Sequence, residues 1–177
     1  VALADMVSAG TASVPAYESY LEALAHDAQT TQSGDQRLKL EARSAYERAL
    51  AIDPEFASAH FELAAFWNNE MTFNNIGSQM VDIAPQEKLR RFKKHIRAAI
   101  EHTTDEIGLD SLRGWEATVD LRFQEAHELT LRYMKARPND SDASQQYVNV
   151  LMRTGRWMRP SSTWGVRLNS AQTIPPP

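Results

Sequence analysis

Cysteine is absent from this chain of 177 residues, which excludes disulfides and thiolate metal sites. Glycine is scarce at seven residues, and a composition with so few backbone breakers favours helices. The chain has no apolar run near the roughly 20 residues that a membrane span requires. Its net charge of −4 leaves no basic footprint for nucleic acid. These absences predict a helical domain with a substantial core, no membrane insertion and no nucleic acid bound by this region.

Patterns that carry catalysis are also missing. The glycines are too scattered to form a phosphate-binding loop, and no serine stands in a nucleophile elbow. The histidines lack a third ligand at zinc spacing, although His95 and His102 are seven residues apart and so share one helical face. We therefore expect no enzymatic activity, no cofactor and no metal ion, with the histidines serving mainly as packing residues.

The first ten residues lack an initiator methionine and a basic segment, so they do not form a signal peptide. We interpret the chain as a piece of a longer protein, whose upstream part would decide its compartment. The cytoplasm is favoured, and the periplasm stays open if a membrane segment lies upstream.

The clearest helical pattern covers residues 41–67. Ala42, Tyr46 and Ala49 recur at three- and four-residue steps and so fall on one helical stripe. The helix should end before Pro54, because the residue preceding a proline is pushed away from the helical region. A second helix begins near Ala57. Two helices separated by so short a turn must lie antiparallel.

These segments resemble the tetratricopeptide repeat family, which has a period of about 34 residues. The residues that resemble its second helix are Ala42, Tyr46, Ala49, Leu50 and Pro54, and those that resemble the next first helix are His60, Leu63, Ala64 and Trp67. The second-helix pattern returns at residues 125–140, and Thr104 to Pro138 spans 34 residues. The resemblance implies an all-α fold: a right-handed superhelical stack of antiparallel helix pairs with about 3.5 repeats and an irregular C-terminal tail.

This register also predicts the domain organisation. Residues 1–15 are a linker or the end of an upstream domain, 16–157 form the array, and 158–177 are a non-repeat tail. The repeats cover about 16–56, 57–106 with an insertion at 68–86, 107–140 and an incomplete 141–157. We expect a lengthened turn at residues 28–37, with Thr104 and Ser141 as helix caps. More weakly, the first 65 residues resemble the C-terminal repeat region of bacterial multidomain regulators.

The family resemblance implies that a peptide or protein segment binds in the concave groove lined by the first helices. The implied groove residues are Tyr17, Tyr20, Phe61, Asn68, Asn69, Ser111, Trp115, Thr118, Gln145 and Asn149. The family's clamp for a peptide carboxylate needs Lys, Asn and Arg, whereas Ser58, Phe61 and Glu62 occupy matching places here. Recognition of a chaperone C-terminus is therefore disfavoured, and aromatic stacking on a bound segment is favoured.

Two alternatives stay open. The first is self-association into a homodimer, through the apolar insertion residues Phe73, Ile76 and Met80 or through Tyr147 and Leu151 at the C-terminal edge. The second is a ligand-sensing region of a transcriptional regulator. The basic run at residues 88–97 is interpreted as a solvated helix face, with an acidic or phosphate-rich partner as the less favoured interpretation.

The regular pattern stops after Trp157. The places 34 residues beyond Ala126, Thr130, Tyr133 and Pro138 hold Pro160, Trp164, Arg167 and Gln172, and none fits the repeat. Codons for residues 158–174 can be chosen so that the adjacent reading frame, entered with one extra base before Met158, encodes DEAIEHLGRALELSPDH. This alternative translation has Ala, Leu, Ala and Pro at the four positions where the repeat expects them. We interpret the tail as an out-of-frame reading of the fourth repeat's second helix, with a natural tail as the alternative.

Nucleotide sequencing around codon 158 tests this interpretation. We expect a single-base discrepancy against a close relative near that codon, after which the relative continues the repeat. An uninterrupted match in the present frame would contradict it. If residues 158–177 are the natural tail, Pro160 and the three terminal prolines oppose a helix, and the edge of the last repeat should expose Tyr147, Val150 and Leu151.

Overall fold

Helices make up the regular secondary structure of residues 3–71 and 81–153, the part of the chain that this computed structural model describes. The all-α class expected from the sequence is thereby confirmed. The helices are α1 (Leu3–Ala9), α2 (Val14–Ser33), α3 (Gln36–Ile52), α4 (Ala57–Met71), α5 (Pro85–His102), α6 (Glu106–Val119), α7 (Phe123–Ala136) and α8 (Ser141–Arg153). None of the helices in these two ranges is both long and apolar enough to cross a membrane.

Neighbouring helices pack as antiparallel pairs. In α4 and α5, His60 contacts His95 while Glu70 contacts Lys88, so the partner's number falls as the chain advances. The same order relates Glu22–Arg48 and His26–Glu41 in α2 and α3, and Asp105–Arg137 and Asp110–Arg132 in α6 and α7. In each of these three pairs, the second helix therefore turns back along the first.

Local chemistry sets where these helices begin and end. The helix α3 ends at Ile52, immediately before Asp53 and Pro54, as the sequence predicts. The helix α2 ends at Gly34, whose φ of 72° lies in the left-handed region that a side chain disfavours. Its N–H donates to the carbonyl of Thr30, which satisfies one of the last free acceptors of the helix.

Three sequence-based expectations about helix ends are wrong. The turn expected at residues 28–37 is helical up to Ser33, because the hydroxyls of Thr30, Thr31 and Ser33 donate to carbonyls four residues earlier within the helix. Asp105 caps α6 in place of Thr104, and the Asp140 carboxylate accepts the first N–H groups of α8 in place of Ser141. Aspartate is at least as good a cap as serine or threonine, so the neighbouring carboxylate takes the role.

The main core cluster joins α4, α5 and α6. Trp67, Phe92 and Ile96 are almost wholly buried, and Leu112 packs beside them. Val81 and Ile83, which follow the insertion's undescribed part, pack on the same cluster. The residues that lead into α5 thus return to the core and bury part of the apolar surface that the insertion carries.

Small residues allow the helices to approach closely. A Cβ atom added to Gly114 on α6 would lie 2.7 Å from the Thr130 Cγ2 atom on α7, so only glycine fits there. This is the position where the sequence resemblance implies a small residue. Val150 of α8 is 1% exposed, against the expectation of an exposed edge, because α8 packs it onto Ala117, Ala126 and Leu129 of α6 and α7.

The first fifteen residues contain a helix of their own. Met6 of α1 is 3% exposed and packs with Tyr17 and Phe56. The Thr11 hydroxyl donates to the carboxylate of Asp53, in the turn between α3 and α4. The segment therefore covers the start of the helical stack by direct contact.

A buried ion pair connects α4 to α5. The Lys88 Nζ atom lies 3.2 Å from Glu70 Oε2, and the two side chains are 3% and 1% exposed. The same carboxylate oxygen accepts a hydrogen bond from the Val81 N–H at 3.3 Å. This contact fixes the point where the chain returns from the insertion.

Removing one member of this pair should destabilise the fold strongly. Lys88→Met leaves the Glu70 carboxylate buried without its cation, which costs about 3–5 kcal/mol of unfolding free energy. Replacing both residues, in Lys88→Met with Glu70→Leu, should recover much of that loss because no charge is then stranded. Urea denaturation measures the difference, with Arg97→Met in an exposed ion pair as the control that changes little. A small loss in Lys88→Met would contradict the assignment.

Candidate functional site

An exposed aromatic pair joins α4 to α6. Phe61 and Trp115 are both half-buried, and their rings stack with centroids 5.4 Å apart and planes inclined by 29°. Each ring also packs on the main core cluster, which fixes its position. Two partly open π-faces are thus held at a defined place on the surface, and aromatic faces of this kind attract both apolar groups and cations.

Carboxylates from three helices interact electrostatically with one another. Glu62 follows Phe61 on α4 and experiences the negative charges of Asp27 on α2 and Asp142 on α8. Burial, followed by the charges of Asp27 and Asp142, raises the pKa of Glu62 to about 7. We call Asp27, Phe61, Glu62, Trp115 and Asp142 the acidic–aromatic face.

Glu62 lacks a hydrogen-bond partner among the residues that the structure describes, although much of its side chain is out of water. It lines a cavity of about 230 Å³ together with Asp27, Tyr46 and Asn69, and Lys39 and Arg43 line the same cavity. Asp27 by contrast accepts a hydrogen bond from the Tyr46 hydroxyl at 2.8 Å. A carboxylate that is partly withdrawn from water and has no protein donor is unfavourable, so a cationic donor from another molecule would stabilise its ionised form.

The side chains predicted from the family resemblance fall into two groups. Phe61, Asn69 and Trp115 lie on or beside the acidic–aromatic face, and Tyr20 packs half-buried against Tyr46 and Phe56. Tyr17 and Thr118 are buried, at 9% and 8% exposed. The Thr118 hydroxyl donates to the carbonyl of Gly114 at 2.7 Å.

Among the remaining predicted residues, Gln145 and Asn149 bond to each other, whereas Ser111 bonds to Gln146, which was not predicted. The Ser111 hydroxyl donates to the Gln146 side chain at 3.0 Å, and Gln146 in turn donates to the Ser111 carbonyl at 2.8 Å. Gln145 and Asn149 are exposed and hydrogen-bonded at 3.3 Å, and Asn68 is half-buried on α4.

Residues predicted as an oligomer contact are placed in part. The Tyr147 hydroxyl lies 3.3 Å from His127 Nε2, and Leu151 is half-buried near the end of α8. Phe73, Ile76 and Met80 lie outside the described residues, as does the tail at 158–177.

Sequence reasoning did not single out the carboxylate cluster. The three residues are far apart in the chain: Asp27 and Asp142 were not singled out, and Glu62 was named only at a clamp position of the implied groove. A signal was present in α4, where Ser58, Glu62 and Asn69 recur at helical spacing on the side that also carries Phe61. Combining that stripe with the acidic residues of α2 and α8 would have indicated the site.

A metal ion does not account for these carboxylates. Residues 3–71 and 81–153 contain no group of three or more histidine, aspartate or glutamate side chains with the geometry to hold one.

Comparison with family models, with curated proteins and with solved structures gave no match for this chain in any of the three.

The titration of Glu62 should make stability depend on pH. Its pKa is about 7 in the folded chain and 4.5 without the fold, so between these values the native state holds a proton that the unfolded state has released. The contribution of Glu62 to the free energy of unfolding is therefore fully present below pH 4.5. It is lost as pH rises through 7. Glu62→Gln should therefore gain on the order of 2 kcal/mol relative to the parent chain between pH 5 and pH 8.

Chemical denaturation of both chains at pH 5 and pH 8 measures this gain. Glu101→Gln, an exposed glutamine substitution on α5, is the matched control and should show no comparable change between the two pH values. A stability difference for Glu62→Gln that is the same at both pH values would contradict the assigned burial of Glu62.

Proposed function

We propose that this chain is a non-enzymatic protein-interaction module that binds a peptide or protein segment carrying a lysine or arginine side chain. In this proposal the helices form a stack similar to that of the tetratricopeptide repeat family, and α2, α4, α6 and α8 line its inner side. The observation that carries the proposal is the stacked pair Phe61–Trp115 beside the Glu62 carboxyl, which lacks a hydrogen-bond partner among the described residues.

The aromatic pair favours a side chain with an apolar stem. The stems of lysine and arginine pack along ring faces, and their charged heads gain a further cation–π attraction. Because Phe61 and Trp115 are already held by the core, little conformational entropy is lost when a partner covers them. Aromatic residues fixed in this way are typical centres of binding energy in protein interfaces.

The carboxylates favour a positive head group. A bound cation would offset the repulsion that Glu62 experiences from Asp27 and Asp142 and would supply the missing hydrogen bonds. Such a cation stabilises the ionised form of Glu62, so binding should release a proton near neutral pH and strengthen as pH rises. Neutral or acidic segments lack this gain, which gives the face a basis for selectivity.

A peptide library tests the proposal directly. Random decapeptides selected on the full chain should become enriched in lysine and arginine, and a selected peptide should bind through the acidic–aromatic face. Trp115→Ala removes one ring and Glu62→Lys reverses the central charge, so each should weaken binding about tenfold or more. Isothermal titration measures the affinities, and thermal melting confirms that each variant is folded.

The control is Lys135→Ala, an exposed substitution on α7 that should leave affinity unchanged. Peptides with each basic residue replaced by glutamine should bind more weakly, and the loss should be larger at pH 8 than at pH 6. The proposal would be wrong if selection enriched acidic peptides, or if Trp115→Ala and Glu62→Lys both bound the selected peptide as tightly as the parent chain does.

A further inference from the structure

A second cavity, of about 570 Å³, lies between α3, α4 and α5. Its residues differ from those of the acidic–aromatic face, and its floor is apolar: Leu63 and Trp67 of α4 are almost wholly buried, with Leu50 of α3 and Pro54 beside them. Arg90, Arg91, Lys94 and His95 of α5 complete one side. The volume lies in the range of pockets that bind small organic molecules.

The cavity faces cations that are incompletely neutralised. Most of the basic run at residues 88–97 forms ion pairs, in which Lys88 contacts Glu70, Lys93 contacts Asp120 and Arg97 contacts Glu116. These pairs belong to the α4–α5 and α5–α6 contacts and are turned away from the cavity lining. The charges that remain at the cavity are those of Arg90, Arg91 and Lys94.

Arg90 and Arg91 share a single carboxylate. The Glu87 oxygens accept from Arg90 at 2.7 Å and from Arg91 at 2.8 Å. Lys94 is exposed and has no carboxylate partner among the described residues, while Glu47, the acidic residue of the lining, lies 3.5 Å from Arg43. Two positive charges are therefore left over at this site after the pairings.

A chain of hydrogen bonds leaves an acceptor at the cavity. The carbonyl of Pro54 can only accept, so His60 Nε2, 2.9 Å away, must carry a proton. Burial lowers the pKa of His60, and the neutral ring then presents a bare Nδ1 atom. His95 Nδ1, at 2.9 Å, must donate to it.

His95 Nε2 is consequently the unprotonated nitrogen of that ring. Burial, with the nearby His60, Lys94 and Arg91, lowers the pKa of His95 to about 3, so the ring is neutral at physiological pH. No residue in the described ranges donates to this nitrogen. A hydrogen-bond acceptor therefore stands beside unbalanced cations and above an apolar floor, an arrangement that the packing of the helices does not use.

We propose that the cavity between α3, α4 and α5 binds a small organic anion, a carboxylate or phosphate group carried on an apolar body. The apolar body lies against Leu50 and Pro54, whose side chains are still accessible, and the anionic group pairs with Lys94 and Arg91. Arg91 is positioned for this by its own contact with Trp67, because its guanidinium group lies 4.8 Å from the ring centroid. A hydroxyl or protonated acid oxygen of the ligand can donate to His95 Nε2.

Both halves of the ligand are needed. A simple anion would gain the charge pairing but would leave the partly exposed side chains of Leu50 and Pro54 in contact with water. A neutral apolar molecule would cover the floor but would leave the cations without a partner. Selectivity for molecules that combine the two groups follows from their placement on opposite sides of one cavity.

Chemical-shift titration of the isotopically labelled full chain tests this inference. The probes are phenylacetate, phenyl phosphate and octanoate, compared with inorganic phosphate and 2-phenylethanol. At least one of the first three probes should bind saturably and change the chemical shifts of amides in α3, α4 and α5 around the cavity. That probe should bind at least about tenfold more tightly than either comparison compound. The tighter of the carboxylate and phosphate probes identifies the preferred anionic group.

Lys94→Gln should weaken that probe about tenfold, because a charge-assisted contact is lost. Lys135→Gln on α7 is the matched control and should bind as the parent chain does, and thermal melting should show both variants folded. Absence of saturable shifts around the cavity would overturn the proposal. Inorganic phosphate that binds as tightly as the best probe would also overturn it, because the site would then hold an adventitious ion only. The same holds if 2-phenylethanol binds as tightly as the best probe, or if Lys94→Gln leaves the affinity unchanged.

Discussion

The position of α4 is the constraint on which the rest of this structure depends. This helix buries residues around most of its circumference, among them Phe66 and Trp67, against α3 on one side and α5 on the other. A helix that is apolar on more than one side is stable only when neighbours cover each side. The antiparallel hairpins provide that cover, and the buried Lys88–Glu70 pair holds α5 in register with α4.

Both candidate sites follow from this central placement. Phe61 and Glu62 stand on the part of α4 that its neighbours leave open, next to Trp115 of α6. His60, Leu63 and Trp67 stand on another side, where α3 and α5 diverge enough to leave a cavity. One helix therefore supplies the acidic–aromatic face and the apolar floor of the second site. The two sites differ in charge because the facing carboxylates come from α2 and α8, whereas the facing cations come from α5.

The local parts of the fold could be predicted from the sequence, and the failures have definite causes. The end of α3 at Asp53 and Pro54 depends on neighbouring residues alone and was predicted correctly. The polar stretch before Gly34 suggested a long turn, but Thr30 and Ser33 satisfy their hydroxyls inside the helix and allow α2 to continue. For the candidate site, the resemblance to the tetratricopeptide repeat family implied Phe61 and Trp115 as groove residues. Their stacking required the relative placement of two helices, which spacing does not contain.

The sequence by itself determined the helical class and the turn after α3. These features depend on contacts within a few residues, which the order of amino acids states directly. Only the tertiary structure decided that Asp27, Glu62 and Asp142 act on one another, or that His60 contacts His95. Electrostatic repulsion, desolvation and proton sharing depend on distances through space. Those distances exist only after the helices have packed.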